Sequence, residues 1–113
     1  MMIIHALLEK TWKKTKEKTY YGEDSIKTEG FIHASDVQNF HKVAPNFANV
    51  TEPMVLLYID PKKVEPTIKW EDLDNCGTQY PHIYGSLNLD SVVSVVPYVK
   101  DEKGNWVGDT YGC

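Results

Sequence analysis

The chain has 113 residues, 42% hydrophobic and 25% charged, with a formal net charge of −4. That is the length of one domain, expected to span 1–113, with enough apolar material for a single core. The acidic balance argues against nucleic acid as a partner, because binding phosphates requires a basic face.

Residues 2–8 read as a strand, apolar on both faces and interrupted only by His5. Residues 9–19 read as a weak helix in which Leu8 and Trp12, four apart, share a buried side, and Glu9 with Lys13 forms a surface pair. The lysines between Lys10 and Lys18 are interrupted by Glu17, Trp12 and threonines, the pattern of a solvated helix face. Residues 20–25 read as a loop and 30–34 as a short strand. Ser35 is then a good N-cap, with Gln38 completing a capping box. Val37, Phe40, Val43, Ala44 and Phe47 follow at helical spacing, with Pro45 closing or kinking the end.

The continuous apolar run 54–59 reads as a central strand buried on both faces. Residues 67–72 alternate, with Ile68 and Trp70 on one side and Lys69 and Glu71 on the other. A turn is expected at 74–77, an extended segment over 80–87, and a β-branched strand over 89–99 carrying Pro97. Residues 101–105 read as a hairpin turn, with Trp106 and Val107 beginning the return. Two helices in the first half and mostly strands in the second make an α+β domain.

No window approaches the roughly 18 apolar residues of a membrane span, so no membrane partner is expected. The start Met1-Met2-Ile3-Ile4 lacks the pattern of a secretory leader. Cys76 and Cys113 are the only cysteines. Two free thiols fit a reducing cytoplasm, the expected location.

Two segments place a histidine inside a short apolar run: Gly30-Phe31-Ile32-His33-Ala34-Ser35 and Tyr80-Pro81-His82-Ile83-Tyr84-Gly85. Imidazole can accept, donate or hold a proton near neutrality, so the pair suggests a polar pocket. His33 and Ser35, at the expected start of a helix, would meet a phosphate or carboxylate; otherwise His33 is a half-buried strand residue bonded to a carbonyl. Tyr80, His82 and Tyr84 share a strand face and can cradle a flat ring or a sugar, or else simply form an amphipathic edge. Glu71 can bind ribose hydroxyls or stabilise a cation, or else faces solvent. His5 is either a core histidine or a third member of the pocket, and His41 is expected to be exposed. There is no C-x-x-C, no H-E-x-x-H and no calcium-loop run, so no metal site is expected.

On these residues the chain resembles the family of domain of unknown function 952 over nearly its whole length. The likeness rests on Trp12, on the His33 segment, on Trp70-Glu71 and on the His82 segment continued through Ser86-Leu87, with Tyr80 standing where Phe is usual. The resemblance implies an ADP-ribosyltransferase-like or RNA 2′-phosphotransferase-like fold. This would be two small, mostly antiparallel sheets with two main helices and a cleft that in those enzymes holds NAD. It further implies chemistry at a nicotinamide–ribose bond, either ADP-ribosyl transfer or NAD glycohydrolysis, with NAD or ADP-ribose as substrate. In that chemistry Glu71 would be the carboxylate and His33 or His82 would hold ribose hydroxyls. Tyr84, Tyr21 or Trp12 would supply aromatic walls, and Ser35 would meet a phosphate. Two other readings of the same residues are a non-catalytic binding or protein-interaction domain with structural histidines, and a metal-dependent hydrolase.

Overall fold

The computed structural model describes residues 2–73 and 75–103. The element order begins β1 (Ile3–Leu8), α1 (Glu9–Thr15), β2 (Tyr20–Tyr21), α2 (Glu23–Glu29), β3 (Ile32–His33), β4 (Ser35–Asp36) and α3 (Phe40–Val43). It continues with β5 (Met54–Ile59), β6 (Thr67–Glu71), β7 (Tyr80–Tyr84), β8 (Leu87–Asn88) and β9 (Val92–Pro97). The described strands form three sheets, ordered β4-β1-β5-β9, β3-β7-β6 and β2-β8, with every pairing antiparallel. Among the described residues the architecture is therefore α+β, with three small sheets where two were expected and three short helices where two were expected.

The apolar run 54–59 becomes β5, an inner strand whose Val55, Leu57 and Ile59 face one core cluster and whose Leu56 faces another. The first cluster lies between the two larger sheets and includes Ile3, Leu7, Ile32, Ile83 and Leu87. The second packs Ile4, Leu56 and Val96 under Phe40 and Ala44. The four-stranded sheet is thus buried on both faces. Completely burying side chains of this size contributes about 1.5–3 kcal/mol each before chain entropy is counted.

Several local expectations are corrected. The capping box at Ser35 does not form. Ser35 lies in β4 opposite Ile4, and its hydroxyl donates to the Asp36 carbonyl at 2.9 Å. Residues 37–47 keep the helical spacing of Phe40, Ala44 and Phe47 but are three successive pieces, 3-10, α and 3-10. Pro45 contributes no N–H and stands at the first turn of the last piece. His33 is consequently not next to a helix start.

α1 stops at Thr15, four residues early, ahead of the closely spaced Lys16 and Lys18. α2 occupies a segment read in part as loop. It carries Ile26 as its single apolar side chain and is bounded by Gly22 and Gly30, both left-handed, so it has no apolar stripe to betray it. At Gly22 (φ +101°) an added Cβ would lie 2.2 Å from the buried Ile32 Cδ1, so this turn requires glycine.

The extended segment 80–87 breaks at Gly85, and the strand expected from 89 starts at Val92 after a 3-10 turn over Leu89–Ser91. In the expected hairpin turn, the described part is closed by the Lys103 N–H donating to Asp101 Oδ1. Gly104, Asn105, Trp106 and Val107, together with Asp74 and Cys113, lie outside the described residues.

Candidate functional site

The three-stranded sheet explains how the two histidine segments meet. Antiparallel register sets Ile32 opposite Ile83 and Ile83 opposite Ile68, and this row faces the core. One residue away, His33 is opposite His82 and His82 opposite Lys69. Strand alternation therefore lifts both imidazoles off the core face and onto the other side, with Tyr80, Tyr84 and Glu71. The His33 and His82 ring centroids are 5.4 Å apart, edge to face.

A cavity of about 600 Å³ opens between this face and the segment carrying Phe40 and Phe47. Its size lies within the range of small-molecule sites. Glu71, His33, His82, Ser35 and His5 all line it. His82 is 4% exposed, whereas the His33 side chain is 59% exposed and sits at the mouth with Nε2 3.3 Å from Glu29 Oε2.

Glu71 holds His82. Its Oε1 accepts from Tyr84 Oη–H at 2.6 Å and lies 3.0 Å from His82 Nδ1. These bonds, the tyrosine's first, hold the Glu71 carboxyl below its ordinary range and raise the Tyr84 phenol in return. An ionised carboxylate only accepts, so Nδ1 carries a proton, and in the neutral ring Nε2 is then an unprotonated acceptor. Neither His82 Nε2 nor Glu71 Oε2 has a hydrogen-bond partner among the described residues, and neither is shut away from solvent. With the ring neutral, the remaining open polar atoms of the dyad are both acceptors.

His5 is arranged differently. Its Nδ1 lies 2.6 Å from the His33 carbonyl oxygen and its Nε2 lies 2.8 Å from the Tyr21 hydroxyl. The carbonyl can only accept, so Nδ1 donates, Nε2 accepts, and Tyr21 donates to it. Burial lowers the His5 pKa to about 4 and raises that of Tyr21 to about 12, so both stay neutral at pH 7. His5 thus touches the cavity, but both its nitrogens are occupied, one tying β1 to β3 and the other to β2, in two different sheets.

Three expected wall residues lie elsewhere. Trp12 packs against the first core cluster. Tyr21 borders a second, smaller hollow of about 370 Å³ with Thr15 and Ser86. Tyr84 acts through its hydroxyl on Glu71, with Lys69 Nζ 4.8 Å above its ring, and is not part of the cavity lining. Ser35 borders the cavity with its hydroxyl already donated to Asp36.

The aromatic wall omitted by sequence reading is Phe31, whose ring centroid is 4.4 Å from that of His82 and 4.8 Å from that of His33. Its position two residues before His33 was the available signal. Asp72 was also missed. Its carboxylate accepts from the Cys76 and Gly77 N–H groups at 2.8 Å each, which lowers its pKa and folds the following loop against the cavity. His41 is exposed, as expected. Among the described residues no group of three histidines, cysteines or carboxylates is placed to hold a metal ion, and no helix is long and apolar enough to cross a membrane.

Fold and site together define a small α+β protein with a histidine–carboxylate dyad in an aromatic cleft. Residues 6–95 match the family described as "Protein of unknown function (DUF952)", and the chain belongs to it. No curated protein matches. Among solved structures, the crystal structure of protein CC0527 from Caulobacter crescentus is 24% identical, with a TM-score of 0.85 and full coverage of both chains. The solution structure of the same protein gives 23% identity and a TM-score of 0.78, covering 99% of this chain and 96% of that one. At this identity the likeness concerns the fold.

Proposed function

We propose that the cleft binds a ribose-bearing nucleotide, NAD-like or ADP-ribose-like, and that Glu71 and His82 act on its ribose. The reading is carried by one observation: the Tyr84–Glu71–His82 hydrogen-bond chain ends in two open acceptors on the wall of a cavity of about 600 Å³. A ribose diol supplies two O–H donors for those acceptors. Breaking an N-glycosidic bond builds positive charge on the sugar, and the Glu71 carboxylate, ionised because its bonds lower its pKa, is the group to face it. The Phe31 and Tyr80 rings suit a flat base. This corresponds to ADP-ribosyltransferase-like or NAD-glycohydrolase-like chemistry, with His33 at the mouth.

The test is a thermal-shift and calorimetric titration of wild type and His82→Asn with NAD and ADP-ribose. A saturable rise in Tm that is lost in the variant supports the reading. A flat response to both compounds rejects it.

A second reading, a protein-interaction domain with structural histidines, draws on Val93 and Val95, exposed along the edge strand β9, and on His5, both of whose nitrogens are satisfied within the fold. It predicts no small-molecule response at all.

A further inference from the structure

The charged groups lining the cavity differ from those of a phosphate site, although Asn46 and Tyr80 also border it with neutral donors. Phosphate oxygens accept hydrogen bonds, so a phosphate pocket offers donors: Arg, Lys or free N–H groups. The chain contains no arginine, and among the described residues no lysine lines the cavity. Lys69, on the same sheet face, stands over the Tyr84 ring, and Lys42 donates to Thr78 Oγ1. Three carboxylates line the cavity: Glu29, Glu71 and Asp72. In the loop that follows Asp72, the backbone N–H groups of Cys76 and Gly77 are already taken by that carboxylate.

A second, independent observation points the same way. His82 is more than nine-tenths buried and lines the cavity, with Nδ1 engaged by Glu71 and Nε2 unpartnered among the described residues. With Nδ1 protonated, Nε2 presents a lone pair. Phe31 and Tyr80 add π faces beside it, with the Phe31 centroid 4.4 Å from that of His82. Acceptors, carboxylates and ring faces together suit a planar cation, and a diol if one is attached.

We infer that the cavity takes the cationic, donor-bearing part of its ligand, a positively charged heteroaromatic ring with or without a pentose, and leaves any phosphate outside. The ribose component rests on the reading above; the charge preference does not.

The experiment compares three probes by calorimetry at pH 7.5: 1-methylnicotinamide (a planar cation without sugar), nicotinamide riboside (the cation with its diol) and ribose 5-phosphate (a diol with an anion). Nicotinamide riboside should bind at least about tenfold more tightly than ribose 5-phosphate. Glu71→Gln should reduce that ratio toward one. Raising salt should weaken the cation and not the anion, a readout from the wild-type protein alone. If ribose 5-phosphate binds as well as the riboside, or the ratio survives in Glu71→Gln, the charge preference is overturned while the ribose reading stands. If 1-methylnicotinamide binds and neither sugar probe improves on it, the charge preference stands and the ribose reading falls. If none of the three binds, both fall.

Discussion

Two buried histidines, His5 and His82, both neighbour His33 and line the same cavity, yet their surroundings give them opposite capacities. At His5, a carbonyl and a phenol close both nitrogens, and burial keeps the ring neutral. At His82, which lines the cavity, a carboxylate closes one nitrogen, and the other has no partner among the described residues. The first arrangement has its tautomer fixed and nothing left to offer a ligand. The second has one nitrogen engaged and one left without a partner among the described residues. Burial alone would have grouped them; the partner on the second nitrogen separates a structural imidazole from one equipped for chemistry.

That contrast can be broken most forcefully at His5. His5→Ala orphans the Tyr21 hydroxyl and the His33 carbonyl and leaves a void, and should cost about 3 kcal/mol in urea unfolding. Removing only one bond, as in Tyr21→Phe, should cost about a third of that. Equal effects of His5→Ala and His82→Asn on stability would erase the distinction.

Acid supplies a second test of similar size. The folded His5 pKa of about 4 lies below the ordinary histidine value of 6.5, so the unfolded chain binds the extra proton between those values. The His5 contribution is therefore complete above pH 6.5 and is lost progressively as pH falls toward 4, by roughly 3 kcal/mol in all. Urea midpoints across that window should slope downward with acid in the wild type and flatten in His5→Ala.

The smallest expected effect is the most local. Tyr84→Phe removes the main bond that lowers the Glu71 pKa, so the Glu71 carboxyl, followed by carbon NMR, should titrate higher than in the wild type with little change in Tm. An unmoved titration would mean that His82 alone holds the carboxylate.

What could be read from the sequence followed from what controls each element. β5 was legible because a central strand needs apolar residues on both faces, and 54–59 has them. The His33 and His82 segments were legible as a pair because strand alternation governs both, and one register brings them opposite each other. α2 was hidden because, with Ile26 its only apolar residue, it is fixed by the glycines at its ends. Ser35 was misread because its hydroxyl prefers a neighbouring carbonyl over the helix ahead. Within the site, Glu71 and the two histidines were visible from their residue types. The exclusion of Trp12 and Tyr21 from the cavity was not, because it depends on which sheet each one packs against.

Ala34 is the single residue at which the chain steps from β3 in one sheet to β4 in the other. Its N–H donates to the Pro81 carbonyl at 3.1 Å, and the carbonyl of the preceding residue is held by His5. The floor of the cleft is therefore a keystone shared by two arches. A molecule seated on it would press on both sheets together, so its grip would be felt as a stiffening of the whole body and not as the closing of a flap.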